Sequence, residues 1–382
     1  MIRVLRAFTQ EIDDPEAAVA DILRQLDLPS RLLARSAGLM FCNLDFMAQG
    51  VATKLCESLP FPVIGCTSEG SAMPEIHDSF LLALLVFTSD EHAFSAGASE
   101  PLDQDAGKRL GSLYRSLAGS LPGRPSLMLA FAPALPYLSG DMLAEILDEA
   151  SDQVPLFGSI ALDETRRYQT AHTLHNGLIW RNRLVLLLIQ GPLAPSFFLQ
   201  LPRHRQMPMD QDEALITAAK DNRILSINNM PAVAYLEKIG LVREGILDTL
   251  YAVPFFLKPP GQDETLCSCA AEPDGSIACM GRVFPNSLLR FGILSNDSVL
   301  ESAEEMAATI RKTAGDPALI LLFSCSSRTV ALQDHLAEMA LLRERLAGLP
   351  FVFTHAAGEF CPRPSVTPRS VFQQYSLTGC LI

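Results

Sequence analysis

The sequence predicts an α/β fold of layered, helix-covered sheets with internally repeated α/β units. The main observation is a pattern that occurs three times: an apolar run, a helical stretch, a small-residue turn carrying a carboxylate, and a second apolar run. The first copy reads AGLMFCN from Ala37 to Asn43, FPVIGCTSEG from Phe61 to Gly70, and FLLALLVF from Phe80 to Phe87. The second reads LMLAFAP from Leu127 to Pro133, VPLFGSIALDE from Val154 to Glu164, and RLVLLLI from Arg183 to Ile189. The third reads ALILLFSC from Ala318 to Cys325, FVFTHAAGEF from Phe351 to Phe360, and YSLTGCLI from Tyr375 to Ile382. In addition, each copy places a helical pattern between its opening run and its turn, as in sheets covered by helices. Finally, 48% hydrophobic against 19% charged residues suits a folded core and opposes a disordered or coiled-coil chain.

In chain order, Pro15 to Leu28 shows helical apolar spacing, with Pro15 tolerated in the first turn. Met47 to Leu59 reads as the helix inside the first copy. Asp141 to Ala150 reads as its counterpart in the second, with Asp141 placed to cap free amides. Leu199 to Asp212 lacks a period and reads as a linker or surface loop. Beyond it come a strand at Arg223 to Ile227, a turn at Asn228 and Asn229, and a helix starting near Pro231. Strands are expected at Tyr251 to Phe256 and at Cys279 to Phe284, the latter preceded by the Asp274-Gly275 turn. Asn296 to Ala314 and Val330 to Leu346 read as helices. The expected division is residues 1–205 and 206–382, which puts two copies in the first part and one in the second.

A formal net charge of −13 opposes long-range attraction to nucleic acid or an anionic membrane. The start lacks a secretory signal pattern, and no apolar run approaches the roughly 20 residues that span hydrocarbon. The expectation is a cytoplasmic protein without membrane insertion. Nine cysteines, an odd number set in apolar segments, read as reduced core thiols.

Glu69 and Glu359 each stand eight residues after a phenylalanine that begins an apolar run, and Asp163 stands eight after Pro155. A carboxylate at such a turn can receive an ammonium group where water is excluded. Small neighbours, among them Gly65, Ser68, Gly70, Gly158 and Gly358, permit close backbone approach. Arg328 follows an apolar strand through a serine-rich turn containing Ser324, Ser326 and Ser327, a location suited to gripping a carboxylate. The competing reading of all these residues is turn and cap chemistry. Phe157, Tyr168, Trp180 and Phe360 can enclose an apolar part of a ligand or fill the core.

Other chemistry is weakly signalled. Cys66 with His77, and Cys325 with His355, offer nucleophile and base types, but the nucleophile-elbow pattern is missing and core thiols are the expectation. Cys267, Cys269 and Cys279 form C-x-C plus a third cysteine without a nearby histidine, so no metal is expected. The phosphate-loop and dinucleotide fingerprints are missing, and no cofactor or catalytic residue is assigned.

The segments GCTSEG, LFGSIALDE, HNGLIWRNRLVLLLI, SINNMPAVAYLEKIG, FSCSSR and HAAGEFCP, in that order, resemble blocks of the FIST family over almost the whole chain. The name refers to F-box and intracellular signal transduction proteins. The resemblance implies a FIST N-terminal region followed by a C-terminal region, and a sensory module for a small ligand, with amino acids proposed as ligands. It brings no catalytic constellation, and any output would come from a separate signalling protein. Two blocks depart from the family pattern. FTHAAGE stands where an aromatic-glycine form precedes the glutamate, and FSCSSR stands in place of a more glycine-rich form.

The expected ligand-binding set is therefore Glu69, Ser68, Asp163, Ser324, Arg328 and Glu359, with Arg328 and Glu359 suited to opposite ends of a zwitterion. A small-molecule enzyme using a cysteine or carboxylate at the turns, and a non-catalytic adaptor, stand as alternatives.

Overall fold

The computed structural model describes residues 2–103, 105–135, 137–163, 170–207, 213–242, 250, 253–362 and 370–382. Each apolar run becomes a strand buried on both faces, so alternate side chains serve different layers. From the three opening strands, Arg35–Cys42, Leu127–Ala132 and Ile320–Cys325, the pairs Leu39 and Phe41, Leu129 and Phe131, and Leu321 and Phe323 enter one shared core. The residues between them pack under each unit's own helices: Met40 and Cys42, Met128 and Ala130, Ile320 and Leu322. Phe41, Phe131 and Phe323 close a triangle at the centre, with ring centroids 5.2, 5.7 and 5.9 Å apart and edge-to-face. Such pairs contribute about 0.5–1.5 kcal/mol each beyond burial.

The three units share one plan. An edge strand (Arg3–Thr9, Ala93–Ala98 or Ser196–Gln200) is followed by a helix (Pro15–Leu26, Ala106–Gly119 or Asn296–Thr313) and then the opening strand. Next come a further helical stretch and a turn strand (Val63–Thr67, Leu156–Ile160 or Phe351–Ala356) that runs parallel to the opening strand. A closing strand (Leu82–Ser89, Val185–Gln190 or Leu377–Leu381) returns antiparallel between the opening and edge strands.

Between turn strand and closing strand, each unit sends a short strand to a neighbour. Ser71–Ala72 of the first unit pairs with the third unit's turn strand, Thr173–His175 of the second with the first's, and Glu359–Pro362 of the third with the second's. The exchange closes a ring. Among the described residues it gives three six-stranded sheets; a fourth sheet, of nine strands, is built from residues 205–293, inserted between the third unit's edge strand and its first helix. The expected boundary at 205/206 falls at the start of that insertion.

Local signals account for most element ends. Asp14 caps the first helix by accepting from Ala17 N at 3.0 Å, with Pro15 next to it. The helix stops at Leu26 because Asp27 turns left-handed at φ 46°. The stretch expected from Met47 to Leu59 is two helices, Leu44–Ala48 and Val51–Glu57, broken at Gly50 with φ 81°. Ser139, not Asp141, caps Gly140–Ser151, accepting from Met142 N at 3.3 Å. Val330 to Leu346 resolves to a helix only over Ala337–Arg345. The strand at Arg223–Ile227 falls where expected, and Asn228 and Asn229 take the positive φ of a tight turn. Of the strand expected from Tyr251, Phe255–Lys258 is formed, and Tyr251 lies outside the described residues, as do Glu164 and Tyr168.

The pairing register corrects the alignment of the turns. Phe41 lies opposite Cys66, Phe131 opposite Ser159 and Phe323 opposite Thr354. The exchanged residues at that level are Thr173, Glu359 and Ser71. Glu359 is thus equivalent to Ser71, and Glu69 to Ala357. The equal spacing from Phe61 and Phe351 misleads because the first turn strand begins two residues later, at Val63, beyond Pro62.

Candidate functional site

Opening and turn strands are parallel and end on the same side, and open α/β sheets favour ligands beyond such ends. Where the first and third units meet there, a cavity of about 260 Å³ is lined by Asn43, Glu69, Ser79, Phe80, Thr329, His335 and His355. Asn43 follows the first opening strand, and Thr329 ends the short Ser326–Thr329 helix after the third. His355 belongs to the third turn strand. Its Nδ1 lies 3.1 Å from the carbonyl oxygen of Glu69, and Ser79 Oγ lies 3.1 Å from His335 Nε2. Asn43 is only 3% exposed, and its Oδ1 has no hydrogen-bond partner among the described residues. Leaving such an acceptor unpaired costs about 1–3 kcal/mol, which a ligand donor would recover. A larger cleft of about 520 Å³, lined by Arg35, Ser36, Phe94 and Leu121, lies at the opposite, starting end of the first opening strand.

Of the six residues expected to bind ligand, Glu69 lines this cavity. Ser68, beside it, is buried and donates to Gly70 O at 3.0 Å or His355 O at 3.0 Å, with Thr354 Oγ1 also in contact, so it joins the first turn to the third unit. Asp163 accepts from Thr170 N at 2.7 Å and Thr170 Oγ1 at 3.0 Å, holding the second turn. Ser324, Arg328 and Glu359 belong to a buried polar cluster behind the cavity.

In that cluster the Arg328 guanidinium, 0% exposed, forks onto Glu338, equally buried. It also donates to Ser302 Oγ at 2.9 Å, Val299 O at 3.2 Å and Tyr375 O at 3.3 Å. Ser324 Oγ donates to the second oxygen of Glu338 at 2.6 Å. Glu359 accepts from Ser376 Oγ through one oxygen, while the other has no hydrogen-bond partner among the described residues. Burial pushes the Glu359 carboxyl well above the usual range, despite the Ser376 hydrogen bond and the Arg328 charge. One buried cation faces two buried carboxyls here. Glu338 holds the ion pair, and Glu359 favours its neutral form.

The nucleophile candidates are held in conditions opposed to reactivity. Burial pushes both Cys66 and Cys325 up to about 12, whereas reactive thiols need a lowered pKa. His77 faces Arg343, whose Nη1 is 2.9 Å from its Nδ1. Phe157 and Phe360 are fully buried in the core, and Trp180 sits under the Arg183 guanidinium at 5.1 Å. Sequence reasoning missed Asn43, Thr329 and His335 as cavity residues. The available signal was Asn43's place directly after the first apolar run, where the strand end delivers it to the crevice.

These features define a class: a three-unit α/β protein with exchanged strands and polar side chains gathered where parallel strands end. Residues 36–230 match the FIST N domain and residues 231–362 the FIST C domain, and the chain belongs to the FIST family. FIST domains are described as small-ligand sensory domains of signal transduction. No curated protein matches the sequence significantly. Among solved structures, the chain is similar to a cyanuric acid hydrolase from A. caulinodans at 9% identity, with 100% of this chain and 99% of that chain covered and a TM-score of 0.35. It is also similar to T. maritima PurL complexed with ATP at 10% identity, covering 100% of this chain and 71% of that one, with a TM-score of 0.20. Likenesses this distant carry no functional inference. Among the described residues, no helix is long and apolar enough to cross a membrane.

Proposed function

We propose that this protein is a sensor that binds a small polar ligand in the cavity between its first and third units. The observation that carries this is Asn43, whose buried Oδ1 has no partner among the described residues and sits at a cavity also lined by Glu69 and two histidines. At about 260 Å³ the cavity is smaller than the roughly 300–1,000 Å³ of drug-sized sites, a scale suited to an amino acid or a small amine. Asn43 Oδ1 would accept from a ligand ammonium, and the Glu69 carboxylate would complement its charge. Arg328, committed to Glu338, would shape the wall that carries Thr329. Because the cavity lies between two units, occupancy would change their relative packing and thereby a surface read by a separate output protein in the cytoplasm.

The test is calorimetry and thermal shift with the proteinogenic amino acids and simple mono- and diamines, on the wild type, Asn43→Ala and Glu69→Gln. A bound probe at 100 times its Kd stabilises by about 2.7 kcal/mol. The expected result is stabilisation by at least one probe that both variants lose while remaining folded, Asn43→Ala melting no lower than the wild type because it removes the unpaired acceptor. If no probe binds, or if the variants bind as tightly as the wild type, the assignment of this cavity is overturned.

A further inference from the structure

The nine-stranded sheet carries a cluster that the sensory cavity does not use. Cys267 and Cys269 lie two residues apart on the consecutive strands Thr265–Cys267 and Cys269–Ala271, and Cys279 on Ile277–Cys279 pairs directly with Cys269. Their three sulfurs all lie within 4.8 Å of one another, and each residue is at most 2% exposed. Three sulfurs bound at about 2.3 Å to one ion stand roughly 3.8–4.0 Å apart, so the set needs only small side-chain adjustments to converge.

The surroundings hold these thiols in place. Gln374 accepts from Ser268 N at 2.7 Å through Oε1, which aims its Nε2 at Cys267 Sγ, 3.8 Å away. The Gly281 amide also donates to Cys267. Asn222 fixes the Cys279 backbone with two hydrogen bonds of 2.8 Å, one in each direction. A Cβ on Gly281 would stand 3.0 Å from Asp141 Oδ2, 3.4 Å from Gln374 Nε2 and 3.7 Å from Cys267 Sγ, so glycine here keeps the approach to the sulfurs open. Outer hydrogen bonds of this kind orient ligands in metal sites.

We propose that Cys267, Cys269 and Cys279 form a three-thiolate site for Cu(I). Soft thiolates select soft ions. Structural zinc takes four ligands, and no fourth histidine, cysteine or carboxylate atom joins this group among the described residues. Three sulfurs alone make the trigonal set that Cu(I) accepts. Binding exchanges up to three thiol protons for one cation, with no change in the oxidation state of copper or sulfur. A disulfide between Cys269 and Cys279, whose sulfurs are 3.1 Å apart, would leave Cys267 and its hydrogen bonds without a role.

The experiment titrates anaerobically reduced full-length protein with Cu(I) against a competing chelator, and reads the number of sulfur neighbours by X-ray absorption at the copper edge. The expected result is one Cu(I) per chain with three sulfur neighbours, an affinity lowered by at least about 100-fold in Cys279→Ser, and no change in Cys56→Ser. Should Cys279→Ser fail to fold, the sulfur count in the wild type decides. Fewer than three sulfurs, wild-type affinity in a folded Cys279→Ser, stoichiometric zinc that Cu(I) does not displace, or a Cys269–Cys279 disulfide in protein kept under reductant would each overturn the proposal.

Discussion

Replacing Arg328 by leucine separates a ligand-gripping arginine from one that holds the fold together. The guanidinium is wholly buried and bonded to Glu338, Ser302, Val299 and Tyr375. Removing one partner of a buried ion pair strands the other, at about 3–5 kcal/mol. The carbonyls of Val299 and Tyr375 also lose their guanidinium donor, while Val299 O keeps the Ser302 hydroxyl at 2.7 Å. The expected loss in Arg328→Leu is therefore about 3–5 kcal/mol, a large share of the 5–15 kcal/mol typical of folded proteins. Urea unfolding followed by far-UV circular dichroism and by Trp180, the single tryptophan, measures it. The double variant Arg328→Met with Glu338→Leu should recover most of the loss, because an apolar pair leaves no stranded charge. A loss below about 1 kcal/mol in the single variant, or no recovery in the double one, would refute the structural role and return Arg328 to the ligand.

Two further outcomes are expected. Folded, burial holds Glu359 above its ordinary pKa of 4.5, so between the two values the native state binds one proton more and stability falls as pH rises, by about 1.4 kcal/mol per unit. Glu359→Gln, which can still accept from Ser376, should remove that slope. Asp141, raised to about 6 by burial, contributes with the same sign in both proteins, so the difference between their melting profiles across pH 5 to 8 isolates Glu359, and superimposable profiles would rule the assignment out. Gly158→Ala would drive a Cβ to 1.9 Å from Ala130 O at φ 152° and should cost about 3 kcal/mol, whereas Gly107→Ala, in a helix with nothing within 4 Å, should be neutral or slightly stabilising by thermal melt.

The strands were legible because their apolar runs are long and bounded by turns, and the threefold plan followed from them. The exchange was not. Ser71–Ala72 is too short to show a period, and nothing local says that its partner lies in the strand at Phe351–Ala356. Arg328 was misleading for a related reason: Glu338 reaches it from the start of a helix ten residues on, across a loop without periodicity. Asn43 gave no charge signal at all. The cysteine cluster was nearer the surface of the sequence, since a hairpin centred on Asp274 and Gly275 sets Cys269 against Cys279. The third sulfur, Cys267, ends the preceding strand, which pairs elsewhere, so that hairpin does not reveal it.

Because every unit lends a strand forward and receives one from behind, no third of this protein owns a finished sheet. Residues 1–205 expressed alone would lack Glu359–Pro362, leaving the Leu156–Ile160 strand with a bare edge, and Ser71–Ala72 would keep only its pairing with His77–Asp78. Bare edges recruit other chains, so such a fragment should aggregate. The ring also brings the first and last hundred residues together, since Ser71–Ala72 pairs with Phe351–Ala356. That is a high contact order, expected to make folding slow and all-or-none across the three units.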